Sequence, residues 1–254
     1  MVIPNRHKPM LAANVFLTAY SQSDFFGKLI FLGLFLLSAI CWIVLLYKMR
    51  TARHVKRVSL AFQQAIEQNT HPLFALDATN LPKPAKASTP HPFAQIFMTL
   101  KQKSIDVLNK NRFFSSQEEG GNVAVYLSSK DLELIESQVL TTISSQSKLL
   151  NHNLFILSTI VTLAPFLGLL GTVWGILISF GELHGGAAAS SNAAVLSGLS
   201  TALATTILGL VIAIPALVAY NYLKNFFHNL TSDMEDFLYL LLSQVEMQYR
   251  NPKL

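Results

Sequence analysis

The sequence predicts an all-α membrane protein with three transmembrane helices and long helical cytoplasmic extensions. Two features of the 254-residue chain point to this class: 51% of the residues are hydrophobic and only 13% are charged. Soluble domains average roughly 25% charged residues. The charges are also unevenly placed, so that three long stretches are almost free of them. Each stretch is long enough to cross a bilayer core as a helix, which takes about 20 apolar residues.

The first predicted span is residues 29–47, which carry no charge. Lys28 and Lys48 flank it, and we expect both amines to reach the lipid headgroups. The second span is predicted at residues 153–181 and the third at residues 195–223. Both are longer than one crossing requires, so we expect them to tilt or to project beyond the bilayer.

Basic residues set the predicted orientation, because lysine and arginine beside a span favour the cytoplasmic side. Five of them follow the first span: Lys48, Arg50, Arg53, Lys56 and Arg57. We therefore expect residues 1–28 to lie outside the cytoplasm or at the membrane interface, and residues 48–152 to be cytoplasmic. The loop 182–194 has no lysine or arginine and is predicted to lie outside the cytoplasm, which is the periplasm if the protein is in a bacterial inner membrane, and residues 224–254 are predicted to be cytoplasmic.

Helical patterns alternate with polar segments in the cytoplasmic part. Residues 49–68 predict a helix that continues the first span, and residues 93–108 show apolar residues at helical spacing. Residues 77–92 contain four prolines and are predicted to be a linker, because proline removes a backbone donor. Residues 109–122 predict a polar loop. Residues 132–150 predict a helix that continues directly into the second span.

An amphipathic helix is predicted after the third span. Its apolar residues recur at i, i+3 and i+4, with acidic residues mostly between them. They are Phe227, Leu230, Met234, Phe237, Leu238, Leu241, Leu242 and Val245. This stripe must pack on something, and the sequence leaves two partners open: the cytoplasmic helices of the same chain, or a neighbouring subunit.

The chain carries no recognisable enzyme motif. It has no nucleophile elbow, phosphate loop or metal-ligand spacing, and no two of its seven histidines stand at helical ligand spacing. Cys41, the single cysteine, lies in the first span and is expected to be a packing residue. The net charge of +5 comes without a nucleic-acid motif. We predict that the protein is not an enzyme and uses no cofactor, metal or nucleic acid.

Small residues mark one face of the second span and one face of the third. Small side chains allow two helices to approach closely, which promotes their association in lipid. The predicted helix-packing residues are Gly168, Gly171, Gly175, Gly198, Ala202 and Gly209. Pro165 and Pro215 lie inside these spans and are expected to kink them.

Hydroxyl side chains are concentrated in the same two spans. A single threonine can bond to the carbonyl of its own preceding turn and be inert. A cluster in two adjacent spans favours a lumen that holds water or a polar partner. The candidate pore-lining residues are Thr172, Ser197, Thr201, Thr205 and Thr206. No Asp, Glu, Lys or Arg lies within either span, so a proton path would need an ionisable group from another chain.

Two segments resemble the ExbB/TolQ/MotA family of ion-driven motor subunits. Residues 164–176, with the sequence APFLGLLGTVWGI, resemble the second-span signature of that family. Residues 198–210, GLSTALATTILGL, resemble its third span together with AIPA at residues 213–216 and Tyr220-Asn221. The segments stand in the family's order and spacing, whereas the cytoplasmic loop matches only loosely.

The resemblance implies a homo-oligomer, a pentamer in this family, whose second and third spans surround a pore in a bacterial inner membrane. It implies an ExbD/TolR-like single-span partner with a membrane aspartate inside the pore, and it suggests a TonB/TolA-like protein as a further partner besides membrane lipids. Proton motive force would drive the partner against the pentamer. Thr172 and Thr206 fall on the family's pore-lining threonines. A Ton-like and a Tol-like role, and protons and sodium ions, remain open alternatives.

One position departs from the family pattern. The third span of the family usually carries a glutamate in a Gly-x-x-Glu-Ala-Leu segment, and this chain has Thr201 there. Glu182, at the outer end of the second span, is the nearest acid in the sequence, and we do not assign it the missing role. Two hypotheses follow: a conducting motor stator, and a non-conducting scaffold for a partner transmembrane helix. Three spans without an internal repeat disfavour a secondary transporter.

Overall fold

The computed structural model describes residues 16–17, 19–21, 23–68, 91–119, 126–184 and 191–249, without the side chains of residues 115–119, 182–184, 191–194 and 197. These residues form long helices and no β-strand. The helices are α1 (Phe25–Glu67), α2 (Pro92–Glu119), α3 (Ser129–Asn151), α4 (Leu154–His184) and α5 (Ser191–Tyr249). Helices α1, α4 and α5 are each long and apolar enough to cross a membrane. The predicted all-α membrane fold with three apolar spans is confirmed.

Contacts divide the described residues into two units. The first contains the residues up to Leu46 together with Asn153–Asn221, and therefore the three apolar helical segments. The second contains Tyr47–His152 together with the described residues from Tyr222 onwards. Helices α1 and α5 contribute residues to both units.

In the first unit, α1 packs on both α4 and α5. Gly33 faces α4, where a Cβ atom would lie 4.0 Å from Cδ1 of Leu167. Phe31 is fully buried with Ala204 of α5 and with Ala19, which belongs to a short helical segment before α1. This segment and α1 therefore pack together on the same part of α5.

In the second unit, phenylalanine rings form the centre of the core. The Phe62 ring lies 6.0 Å from the ring of Phe97 and 6.3 Å from that of Phe237, both in edge-to-face geometry. Phe93 packs on Phe237 at 4.8 Å. Seven of the eight apolar residues predicted after the third span are buried, and Leu242 is half-buried. The amphipathic stripe thus packs on helices of its own chain, which decides between the two partners that the sequence left open.

Helix α3 is tied to α5 at several points in this unit. Ser147 and Thr231 share a hydrogen bond of 3.0 Å between their hydroxyls. Tyr239 of α5 is hydrogen-bonded to Glu136 of α3, and the negative charge of that carboxylate raises the pKa of the phenol. The Leu127 N–H, just before α3, donates to the Tyr249 carbonyl at the end of α5 (3.0 Å).

The predicted polar loop at residues 109–122 is wrong over most of its length, because α2 continues to Glu119. No glycine or proline interrupts residues 109–119, and the lysine, arginine, glutamine and glutamate in this stretch are good helix formers. Polar composition alone did not end the helix. Of the proline-rich linker, residues 77–90 lie outside the described residues, and Pro92 is the first residue of α2, where proline is favoured.

The prediction that the helix at residues 132–150 continues directly into the second span is also wrong. His152 and Asn153 separate α3 from α4, and Asn153 has a left-handed backbone with φ of 69°. Asparagine tolerates this conformation better than most residues, which explains why the chain can turn here.

Lys48 does not extend away from the protein as the sequence suggested. Its side chain is 5% exposed, and its Nζ donates to the Leu150 carbonyl in the last turn of α3 at 2.9 Å. The last carbonyls of a helix lack partners within the helix, and a cation there also complements the helix dipole. The ammonium lies 5.6 Å from the centre of the Phe227 ring. Lys48 therefore links α1, α3 and α5 within the second unit.

Candidate functional site

The candidate site is the contact between α4 and α5 in the first unit, which joins the two signature-like segments. A Cβ atom added at Gly175 of α4 would lie 2.9 Å from Cβ of Ala202 on α5. One added at Gly168 would lie 3.0 Å from Cα of Thr206. The later residue of α4 thus contacts the earlier residue of α5, which shows that the two helices are antiparallel.

Some of these approaches are between backbones. A Cβ atom at Gly209 would lie 2.7 Å from the carbonyl oxygen of Ala164 and 3.3 Å from Cα of Gly168. A Cβ atom at Gly198 would meet Oγ of Ser179, and one at Gly171 would lie 2.7 Å from Cβ of Thr205. The structure therefore brings all six predicted helix-packing residues together in one contact, in which a Cβ atom added at each of the five glycines would lie 3.0 Å or less from an atom of the other helix.

Two threonine hydroxyls hold this contact by converging on one carbonyl. Thr206 Oγ1 donates to the carbonyl oxygen of Gly168 at 3.0 Å, and Thr205 Oγ1 lies 3.3 Å from the same atom. Thr205 is 1% exposed, and its single hydroxyl hydrogen is shared with the nearer Ala202 carbonyl of its own helix, at 2.7 Å, so its bond to Gly168 is the weaker of the two. A hydrogen bond between membrane helices contributes about 0.6–2 kcal/mol. The hydroxyls of both residues are directed into the helix contact.

The other candidate pore-lining residues are placed differently. Thr172 is half-buried and donates to the Leu169 carbonyl in its own helix at 2.7 Å. Thr201, at the position of the family glutamate, is half-buried. Ser197 lies in α5, but its side chain is outside the described part of the chain, as is that of Glu182 in α4. That these residues and the two interhelical threonines line a pore stays a prediction.

Both predicted helix-kink residues lie inside continuous helices. Pro165 is in α4, and Pro215 is in α5. Each lacks the N–H that would bond to the carbonyl four residues earlier. Pro165 is next to Ala164, whose carbonyl oxygen faces Gly209 of α5. That the two prolines kink their helices stays a prediction.

An acid to which no sequence motif pointed contacts the second span. Trp174 of the signature-like segment donates its Nε1 hydrogen to Oδ2 of Asp24 at 3.0 Å. The Phe26 ring packs on the same indole, with 4.4 Å between ring centres. Asp24 also caps α1, since its Oδ1 accepts the N–H of Gly27 at 3.0 Å. An aspartate before a long apolar run is an N-cap signal that could have been noticed, but its partner 150 residues away could not.

Within the described residues, no three His, Cys, Asp or Glu side chains come close enough together to hold a metal ion. Cys41 is a buried free thiol, as expected for a packing residue. The predictions that the protein has no cofactor, metal or catalytic residue stay predictions.

Comparison with known proteins finds a family that covers both signature-like segments. A model of the MotA/TolQ/ExbB proton channel family matches residues 108–236, which is half of the chain. The chain is 42% identical over 76 residues to the biopolymer transport protein ExbB of Aquifex aeolicus, covering 30% of this chain and 51% of that protein. It is 49% identical over 76 residues to the biopolymer transport protein ExbB of Helicobacter pylori, covering 29% and 50%.

A third relative, the biopolymer transport protein ExbB of Neisseria gonorrhoeae, is 36% identical over 106 residues, covering 41% of this chain and 46% of that protein. The chain thus spans about half the length of the curated relatives that it matches.

Proposed function

The chain belongs to the MotA/TolQ/ExbB proton channel family, and on that premise we propose that it is the pore-forming stator subunit of a motor driven by proton motive force. In this proposal, five copies surround an ExbD/TolR-like single-span partner that carries a membrane aspartate. The complex energises transport or envelope maintenance at the outer membrane, in cooperation with a TonB/TolA-like protein. The chain itself carries out no covalent chemistry and needs no cofactor, and the transported ion is a proton.

The observation that carries this proposal is the α4–α5 pair. The two family-like segments form one contact, and the threonine hydroxyls of α5 bond to a backbone carbonyl of α4 within it. Apart from this contact and the contacts with α1, both helices expose large apolar side chains, such as Phe166 of α4 and Leu203 of α5. These outward faces suit lipid, neighbouring copies or a partner helix.

The lack of ionisable residues in the second and third spans also supports a partner chain. No Asp, Glu, Lys or Arg occurs between residues 154 and 181 or between residues 198 and 221. Because proton transfer through a membrane generally uses an ionisable side chain, the partner's aspartate is proposed to supply it.

The proposed orientation places the N-terminus in the periplasm and the C-terminus in the cytoplasm of a bacterial cell. Arg50, Arg53 and Arg57 are exposed on the side of α1 opposite its buried residues. Basic side chains in this position just after a span favour the cytoplasmic face and its anionic lipids.

Proton flux into liposomes tests the proposal. The chain is reconstituted with and without an ExbD/TolR-like single-span protein from the same genome, and the flux is compared at equal amounts of assembled complex. We expect flux only with the partner, and loss of flux when the partner's membrane carboxylate is changed to an amide. A sodium gradient is the control for the choice of ion, and native mass spectrometry counts the subunits.

The second candidate function is a non-conducting scaffold for a partner helix, and Thr201 in place of the family glutamate favours it. This alternative predicts a well-assembled complex without proton or sodium flux, whose partner tolerates neutralisation of its carboxylate. Partner-dependent flux in the complex with Thr201 present would reject the scaffold.

A further inference from the structure

Asp24 connects the start of the first membrane helix to the second. Its Oδ1 accepts the Gly27 N–H at 3.0 Å, and its Oδ2 accepts the Trp174 indole N–H at 3.0 Å and the Phe26 N–H at 3.3 Å. One carboxylate therefore caps α1 and holds a side chain of α4 at the same time.

The chain before Asp24 is itself fixed in place. Ser23 is 8% exposed, and its Oγ donates to the Ala19 carbonyl at 2.6 Å. Ala19 is buried against Phe31 and Ala204. Gly27 leaves room for the cap, since a Cβ atom there would lie 2.9 Å from Oδ1 of Asp24. The carboxylate thus projects from a segment that is anchored on α1 and α5.

The contact with α5 attaches α4 along one face, which contains Gly168, Gly171 and Gly175. A second point of attachment on another side of α4 adds a constraint on the rotation of the helix about its own axis. Trp174 lies on a different side of α4 and is held by two groups, the Asp24 carboxylate and the Phe26 ring.

The rotation of α4 determines where its polar side chains point. Residues in an α-helix are about 100° apart around the axis, so Thr172 and Trp174 lie on nearly opposite sides of α4. Holding the indole of Trp174 therefore also fixes the direction of Thr172.

We propose that Asp24 is a positioning residue for the ion path, whose hydrogen bond to Trp174 sets the rotation of α4 and thereby the side of the second span that faces the pore. The statement about the pore rests on the proposed function, whereas the anchoring of Trp174 by Asp24 does not. Asp24 acts through Trp174 and does not itself carry the ion.

The test separates the anchor from the helix cap. Asp24→Asn keeps one of the best N-cap residues but has only one acceptor oxygen, so it cannot serve both Gly27 and Trp174. Trp174→Phe keeps an aromatic ring against Phe26 and removes the N–H donor. Trp42→Phe changes the other tryptophan of the chain and is the matched control.

The first readout is fluorescence of the assembled oligomer of this chain, in a Trp42→Phe background that leaves Trp174 as the only tryptophan of the chain. We expect Asp24→Asn to shift the emission of Trp174 and to raise its quenching by a membrane-depth or aqueous quencher. Unchanged emission and quenching would overturn the anchor. This readout needs no ion flux, so it remains decisive even if the proposed function fails.

The second readout is proton flux with the partner present. We expect Asp24→Asn and Trp174→Phe each to reduce the flux about threefold to tenfold, as for the loss of one typical hydrogen bond. The double variant is expected to be no worse than either single variant, because both changes remove the same bond. Multiplied losses would overturn the proposal, since Asp24 would then act independently of Trp174.

Assembly is checked in parallel. If Asp24→Asn fails to assemble while Trp174→Phe assembles and conducts normally, the carboxylate serves only as a helix cap and the proposal is rejected. Rescue of flux by Asp24→Glu, which restores two acceptor oxygens, would support it.

Discussion

The contact between α4 and α5 and the core of the second unit are built in opposite ways. In the α4–α5 contact, glycines allow backbone atoms to meet, and threonine hydroxyls donate to the carbonyl of Gly168. In the second unit, large rings such as Phe62 and Phe237 fill the space between helices.

This difference follows from the solvent that each part is expected to meet. Lipid tails are as apolar as the side chains of a membrane helix, so burial of large side chains gives little gain there, and close approach with hydrogen bonds holds the helices together. In water, the removal of apolar surface from solvent is the main driving force. The α4–α5 contact should therefore be disrupted most by substitutions that add side-chain volume. The core of the second unit should be destabilised most by substitutions that remove side-chain volume.

The largest effect is expected from Gly209→Leu in the α4–α5 contact. The added side chain would meet the carbonyl oxygen of Ala164, 2.7 Å from the position of its Cβ, and a backbone group cannot move aside easily. We expect loss of the oligomer in size-exclusion chromatography with mass photometry. Gly181→Leu in α4 is the matched control, because a Cβ atom there has nothing within 4 Å. An intact oligomer with Leu at 209 would contradict the packing argument.

Phe237→Ala should have the next largest effect, on the second unit. Phe237 is 1% exposed and contacts both Phe62 and Phe93. Truncation of a buried phenylalanine costs about 3–5 kcal/mol, as lost transfer energy plus a cavity. Thermal unfolding of the full-length chain measures this loss. Phe113→Ala, at a position 61% exposed, should change the stability far less, and equal losses at the two sites would refute a core role for Phe237.

Thr206→Val tests the hydrogen bonds of the α4–α5 contact with almost no change in volume. It removes the hydroxyl that donates to Gly168, so we expect the contact to lose about 0.6–2 kcal/mol. Proton flux should fall while the oligomer still assembles. Thr162→Val is the matched control, because that hydroxyl bonds to the Thr159 carbonyl of its own helix. Normal flux with Val at 206 would argue against a polar role for this residue.

Lys48→Met should have the smallest effect on the free energy of unfolding, because the loss of a hydrogen bond and the removal of a buried charge act in opposite directions. The change leaves the Leu150 carbonyl without the ammonium donor, but it also removes a charge from a buried position. We expect a net loss of about 1 kcal/mol in the free energy of unfolding. Lys110→Met, on the exposed side of α2, is the control. A more stable Lys48 variant would show that burial of the charge outweighs the hydrogen bond.

The sequence was most informative about helix faces, because residues on one face recur every three or four positions. The glycines and alanines of the second and third spans recur every three or four residues, and the structure places them in the contact between α4 and α5. The apolar stripe from Phe227 to Val245 was visible in the same way. Its partner was not, because any sufficiently apolar surface could cover such a stripe.

Errors occurred where a local signal was weak or ambiguous. The polar residues after Asn109 were interpreted as a loop, although nothing in them stops a helix before Glu119. The end of α3 was missed because a single asparagine, Asn153, makes the turn without glycine or proline. Lys48 was assigned to the headgroups because a lysine beside a span is usually solvated, and only the approach of α3 gave it a buried acceptor.

The sequence by itself determined three apolar helices, their small-residue faces and the family to which the signature-like segments belong. Only the tertiary structure decided that Thr205 and Thr206 share the Gly168 carbonyl and that Asp24 holds Trp174. The physical reason is that periodicity is a property of consecutive residues, whereas a hydrogen bond between residues 24 and 174 depends on where two separate helices meet.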